Sequence, residues 1–263
     1  MKILFSDLDG TLLKDGKTIT PYNRERLLKF QEAGHRVGLC TGRSLLEMKA
    51  LLSHEALPYD YMILNNGGHI LDCHEHTLYE KKIAHAIGVK VILMALDVQG
   101  MWVTFCDGAK SYTYHEGQTY DHSVHPEQLV NEDFFSLLKS AGDFQIISIN
   151  KDRETLNEVH QCADEIMHSY GNEVNCHKNE IYVDIVPAGC SKATGIRELE
   201  NHVQESFDRI YTIGDSYNDL PMILEGDVGC TFTYAQPEIQ SQAAYVYDYE
   251  YELIDDILGG KIE

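Results

Sequence analysis

Residues 2–13 read KILFSDLDGTLL. Ile3, Leu4 and Phe5 run straight into Ser6, Asp7, Leu8, Asp9, Gly10 and Thr11. A short apolar run closed by turn residues reads as a buried strand, yet this one ends on two carboxylates one residue apart. Acids so close repel each other and lose solvation if they are covered. A divalent cation is the most economical compensation.

The sequence that follows alternates. Thr20 is placed to cap a helix that starts at Pro21, with Leu27, Leu28 and Phe30 as its apolar face and Gly34 at its C-terminal end. HRVGLC (35–40) reads as a strand, TGR (41–43) as a turn, SLLEMKALLSH (44–54) as a helix and YDYMILNNGG (59–68) as a strand ending in a polar turn. Strand-helix alternation of this kind predicts a parallel sheet with helices on its faces.

From His69 to Tyr182 the pattern changes. Paired strands with short turns appear in 68–82 and 100–117, and PEQLVNEDFFSLLKSAG (126–142) and DRETLNEVHQCADEIMHSYG (152–171) read as helical stretches. Alternation then resumes with SKATGIRELENHV (191–203), RIYTIG (209–214), SYNDLPMILEG (216–226) and VGCTF (228–232). The expected organisation is an α/β, Rossmann-like parallel-sheet core over 1–82 and 187–263, with an inserted α+β cap over 83–186. Two short crossings between them suit a lid that hinges over a site.

In open α/β sheets, ligands bind beyond the carboxyl ends of the strands. Asp7 ends the first strand, CTGRS (40–44) follows the second, and IGDSYND (213–219) follows a late one. Asp7, Asp9, Asp215 and Asp219 would thus share one edge, an oxygen-only donor set that favours Mg2+ over zinc. Magnesium beside an uncommitted Asp, a Thr and a Lys points to phosphoryl transfer, with Asp7 as nucleophile and Asp9 as acid for the leaving oxygen and base for water.

DLDGT, TGR, a lysine ahead of a helix and GDSYND, in this order, resemble the four signature motifs of the haloacid dehalogenase superfamily of phosphohydrolases. The large insertion between the second and third motifs resembles the Cof-type subclass IIB, and the likeness covers the whole chain. The resemblance implies Asp7 as nucleophile and Mg2+ ligand, and Asp9 as general acid/base with its carbonyl also on the metal. It implies Thr41 and the Gly42 amide as phosphate donors, Lys192 as the neutralising cation and Asn218 as a phosphate or lysine contact. Asp215 becomes a metal ligand, and Asp219 a ligand through water or a partner of the ligands. One departure stands out. Where the family carries a Met-Gly-Asn-Ala-like turn, this chain has TFTYAQPEIQ (231–240).

Each motif also has an ordinary structural reading. An Asp pair after a strand is often a turn or cap, Thr41 could cap the following helix, and a lone lysine is usually solvated. His74 and His76 read as the polar tip of a hairpin, and His122 and His125 are read the same way. Tyr112, Tyr114 and Tyr120 read as an exposed strand rather than as a stacking platform.

Bulk properties narrow the partners. The composition is 43% hydrophobic and 24% charged, that of a globular protein, and the formal net charge of −21 argues against nucleic acid and anionic membranes. Seven scattered cysteines without a C-x-x-C pair argue for a reducing compartment. With no signal-peptide core and no apolar span, the expected location is cytoplasmic. The expected activity is Mg2+-dependent hydrolysis of a small phosphorylated metabolite through an aspartyl-phosphate. A sugar phosphate comes first, and a flavin or pyridoxal phosphate second. The rivals are a phosphomutase of the same superfamily and a phospho-accepting signalling domain.

Overall fold

The computed structural model describes residues 1–123, 128–152, 155–179 and 182–262. The chain begins β1 (Lys2–Asp7), α1 (Pro21–Glu32), β2 (Arg36–Cys40), α2 (Leu45–Leu52), β3 (Tyr61–Leu64), β4 (His69–Asp72) and β5 (Thr77–Glu80). It continues α3 (His85–Leu96), β6 (Trp102–Cys106), β7 (Ser111–His115), β8 (Gln118–Asp121), β9 (Gln128–Val130), α4 (Phe134–Ser140), β10 (Ile146–Asn150), α5 (Leu156–Tyr170), β11 (Val174–Lys178) and β12 (Tyr182–Pro187). The last part is α6 (Lys192–His202), β13 (Arg209–Ile213), α7 (Leu220–Glu225), β14 (Val228–Phe232), α8 (Pro237–Gln240), β15 (Tyr245–Tyr247) and α9 (Glu250–Leu258).

Two compact units result: Met1–Thr41 with Leu51–Glu80 and Ser191–Glu263, and Gly42–Ala50 with Lys81–Cys190. The first unit holds a sheet in the order β15-β14-β13-β1-β2-β3-β4-β5. Strands β15 to β3 pair in parallel, and β4 and β5 add an antiparallel edge. Ile3, Leu4 and Phe5 on β1 have no exposed surface, as expected for a central parallel strand covered on both faces. From β1 the chain runs to β2 and β3 on one side and later to β13, β14 and β15 on the other. The carboxyl ends of β1 and β13 therefore flank the point where the strand order reverses, the place where such sheets bind ligands.

The second unit is a sheet ordered β11-β12-β10-β6-β7-β8-β9, in which every pairing is antiparallel. Helices α3 and α5 bury Val91, Ile92 and Ala95, and Val159, Ala163 and Ile166, against Val103, Phe105, Ile147, Ile149, Val183 and Ile185 of its strands. The start of α2 belongs to this unit, because Leu46 packs on Cys106, Ile146, Val186 and Cys190.

Local chemistry explains the helix ends. Thr20 Oγ1 accepts from the Asn23 amide at 3.2 Å, and Gly34 takes the left-handed conformation (φ +84°) past the end of α1. Four readings need correction. Leu28 is 46% exposed, because Leu27 and Phe30, three apart, share the buried face with Asn23. The stretch read as helical from 126 forms strand β9 at Gln128–Val130, and α4 starts only at Phe134, where Asp133 Oδ2 accepts from the Ser136 amide at 2.8 Å. Tyr112 and Tyr114 are half-buried on the core of the second unit, and Tyr114 lies 5.2 Å from the Phe134 ring. The helix after Thr41 is capped instead by Ser44, which exchanges hydrogen bonds with Glu47. His74 and His76 do lie in an exposed turn, their amides held by Asp72 Oδ1. His125 lies outside the described residues.

Candidate active site

Strand β1 carries Asp7 to its carboxyl end, 5% exposed. The strand stops there: Leu13 donates back to the Leu8 carbonyl at 2.8 Å and Gly10 to the Leu13 carbonyl at 3.0 Å. Gly10 adopts φ +89°, and a Cβ there would lie 2.7 Å from Asp215 Oδ2, so the turn needs glycine on both counts. In consequence Asp9 does not extend the strand's alternation. Asp7 is buried, whereas Asp9 is exposed on the turn.

The cation comes from α6, whose first residue is Lys192. A positive charge is unfavourable at a helix N-terminus, and two features offset this. Ser191 Oγ accepts from the Thr194 amide at 3.1 Å while Thr194 Oγ1 accepts from the Ser191 amide at 2.8 Å, which satisfies the terminus independently. The ammonium itself, 1% exposed, donates to Asp7 Oδ1 and to Asp219 Oδ1, each at 2.5 Å. Burial works against charge on Lys192, but Asp219 and Asp7 outweigh it and hold the pKa above the ordinary lysine value.

The loop after β13 supplies the rest. Asp219, with no exposed surface, accepts on Oδ2 from the amides of Asp215 (3.1 Å) and Ser216 (3.0 Å), so one carboxylate orders the turn and faces the lysine. Asp215 Oδ1 accepts from Thr11 Oγ1 at 3.0 Å. Asn218 Oδ1 accepts from Ser216 Oγ at 2.5 Å, which turns Asn218 toward its own loop.

Carboxylate oxygens of Asp7, Asp215 and Asp219 lie within 4.8 Å of one another. Burial and the neighbouring Asp219 push the Asp215 pKa up to about 6. Burial, then Asp219, raises that of Asp7 well above the ordinary range, with Lys192 opposing. Asp7 Oδ2 is buried with no hydrogen-bond partner among the described residues. An unsatisfied buried carboxylate oxygen in a crowd of like charges is the environment a hard divalent cation relieves, so the donor set fits such an ion. The Asp9 side chain stands outside this trio.

Thr41, 1% exposed, directly follows β2, whose last residue Cys40 pairs with Asp7. Its amide donates to the Ile63 carbonyl at 2.9 Å, and its carbonyl accepts from the Asn66 amide at 3.0 Å. Gly42 follows it directly. The turn holding Thr41 is unusual, with Asn65, Asn66 and Gly67 at φ +50°, +48° and +96°. A Cβ on Gly67 would collide with the Ser191 carbonyl, so the same turn seats the start of α6. Sequence reading gave this turn no role. Its signal was Asn-Asn-Gly-Gly, the residue types that tolerate left-handed backbone. Thr11, the partner of Asp215, also received no role from the sequence.

The chain belongs to the haloacid dehalogenase-like hydrolases, whose family model matches residues 4–253. Curated relatives include the 5-amino-6-(5-phospho-D-ribitylamino)uracil phosphatase YcsE of Bacillus subtilis, 23% identical over 96% of this chain and 92% of the relative. The HMP-PP phosphatase of Yersinia pestis is 23% identical over 90% of this chain and 85% of its own. Among solved structures, a haloacid dehalogenase-like hydrolase from Bacteroides thetaiotaomicron shares the fold at a TM-score of 0.76 and 24% identity, covering 97% of this chain and 99% of that one. The subclass IIB sugar phosphatase BT4131 shares it at a TM-score of 0.76 and 18% identity over the full length of both. The protein is thus an enzyme of a hydrolase family, and these curated relatives are phosphatases. Among the described residues, no helix is long and apolar enough to cross a membrane.

Proposed function

We propose that this protein is a cytoplasmic, Mg2+-dependent phosphatase that hydrolyses a small phosphorylated metabolite through an aspartyl-phosphate on Asp7. The observation that carries the reading is the buried ammonium of Lys192 shared between Asp7 and Asp219, with Asp215 alongside and Asp7 Oδ2 unsatisfied. Asp7, Asp215 and Asp219 would hold Mg2+, together with the Asp9 carbonyl that the family resemblance suggests. When bound, the ion would neutralise charge on the phosphoryl oxygens and relieve the repulsion among the aspartates.

Lys192 favours the ionised form of Asp7, which burial and the other acids oppose. Thr41 and the Gly42 amide orient the phosphoryl group, and Asp7 attacks phosphorus in line. Asp9, exposed and beyond the trio, protonates the leaving oxygen and then takes a proton from the water that cleaves the acyl phosphate. The phosphatase names of the relatives favour hydrolysis over a mutase. Their variety supports a small metabolite as substrate, with a sugar phosphate first and a flavin or pyridoxal phosphate second.

A panel of p-nitrophenyl phosphate, sugar phosphates, FMN and pyridoxal 5′-phosphate, assayed with and without Mg2+, tests this. Phosphate release should require the ion and vanish in Asp7→Asn, which removes the nucleophile at nearly constant volume. Residual turnover above about a tenth of wild type would exclude the covalent role of Asp7.

A further inference from the structure

The turn that carries Asp9 is held from outside by a residue that belongs to none of the motifs. Tyr234, two residues past β14, donates its hydroxyl to the Gly10 carbonyl at 2.7 Å across 224 residues of sequence. The amide of Gly10 is already committed to Leu13. Both peptide groups of Gly10 are therefore fixed, one by the turn itself and one by Tyr234. Thr11, the next residue, is bound to Asp215. Asp9 is joined directly to this pinned glycine.

The tyrosine is itself well seated although 47% exposed. Its ring stacks on Phe232, centroids 4.9 Å apart and planes 15° from parallel, and Phe232 is fully buried in β14. Lys14, which closes the same stretch, lies 4.9 Å from the Tyr234 ring centroid and 4.3 Å from that of Tyr249. A phenol gripped by a buried ring and a cation is a firm post for one directed hydrogen bond.

We propose that Tyr234 is a positioning residue for the general acid/base: by holding the Gly10 carbonyl it fixes the turn that presents Asp9 to the leaving oxygen. This rests on the reading of Asp9 given above. Proton donation falls steeply in efficiency when the donor is misplaced. In the phosphoryl-transfer step, loosening the turn should therefore cost most where the leaving group needs a proton and little where it does not. TFTYAQ, the segment that departs from the family's usual turn, thereby acquires a specific task.

The test compares Tyr234→Phe, which keeps the ring and its stack, with wild type and Asp9→Asn. Substrates are p-nitrophenyl phosphate, whose leaving group departs unprotonated, and glucose 6-phosphate, whose leaving group does not. Should glucose 6-phosphate be outside the substrate range, the best alkyl phosphate of the panel replaces it. In Tyr234→Phe, kcat/KM, which reports only the phosphoryl transfer to Asp7 and not the later hydrolysis common to all substrates, should fall about tenfold on the alkyl phosphate and less than about twofold on the aryl phosphate. Asp9→Asn should shift the same ratio further, and adding Tyr234→Phe to it should change the ratio no more. An unchanged ratio in Tyr234→Phe, with or without a uniform loss on both substrates, overturns the proposal when Asp9→Asn does shift it. An unchanged ratio in Asp9→Asn overturns the acid role of Asp9 itself, and the proposal with it.

Discussion

The ammonium of Lys192 stands 2.5 Å from Asp7 Oδ1, although the two residues are 185 apart in the chain. Strand β1 delivers the acid, the cap of α6 delivers the base, and neither tolerates burial without the other. Removing one member of a buried, hydrogen-bonded ion pair typically costs about 3–5 kcal/mol.

Lys192→Met should therefore lower activity by at least about a hundredfold and lower the melting temperature of the metal-free protein. Lys192→Arg should not restore activity, because a planar guanidinium cannot replace a point charge set between two carboxylates. Thermal melts and initial rates on both variants decide it. Near-wild-type rates in Lys192→Met would show that the lysine is only a structural counter-ion.

Protons should compete with the metal. Asp215 has its pKa pushed up to about 6 by burial and Asp219, and Asp7 is also raised. Mg2+ affinity should then fall as pH drops through about 6, by at least about tenfold per pH unit below it. Calorimetric titration of Mg2+ into the metal-free protein at pH 5 and at pH 7.5 measures this without reference to turnover. Equal affinity at the two values would mean that the trio does not bind the ion.

A second buried acid makes an independent prediction. Glu250 opens α9, is 1% exposed, and has both carboxyl oxygens without a hydrogen-bond partner among the described residues. The helix terminus does not need it, since Glu252 accepts from the amides of Asp248 and Tyr249 at 3.1 Å. Burial pushes its pKa from the ordinary 4.5 up to about 8, with the Ser6 hydroxyl, too poorly aligned to count as a hydrogen bond, opposing weakly. A carboxyl whose folded pKa is raised favours the folded state while protonated. Its contribution is complete below about pH 4.5 and lost as pH rises through 8. Glu250→Gln should thus melt close to wild type at pH 5 and be more stable at pH 8.5, by an amount on the order of a few kcal/mol. Melting curves that stay parallel between the two pH values would refute the buried-acid account.

What the sequence made legible by itself was the set of candidate residues held in short spacings. Asp7 and Asp9 around one leucine, TGR, and Asp215 and Asp219 in one hexapeptide are legible because the residues are neighbours in the chain. The alternation of strands and helices placed them at one sheet edge. Lys192 was legible only through its rank among the motifs, for a lysine at a helix start carries no signal of its own. Tertiary structure decided everything that depends on a distant partner. It left Asp9 exposed on the turn while Asp7 was buried, and it exposed Leu28 while burying Asn23. It set the Tyr234 hydroxyl on Gly10 and put the Glu250 carboxyl under cover. Periodicity reports which face of an element is apolar, but not which residue hundreds of positions away will meet it; that is fixed only when the sheet assembles its strands out of chain order.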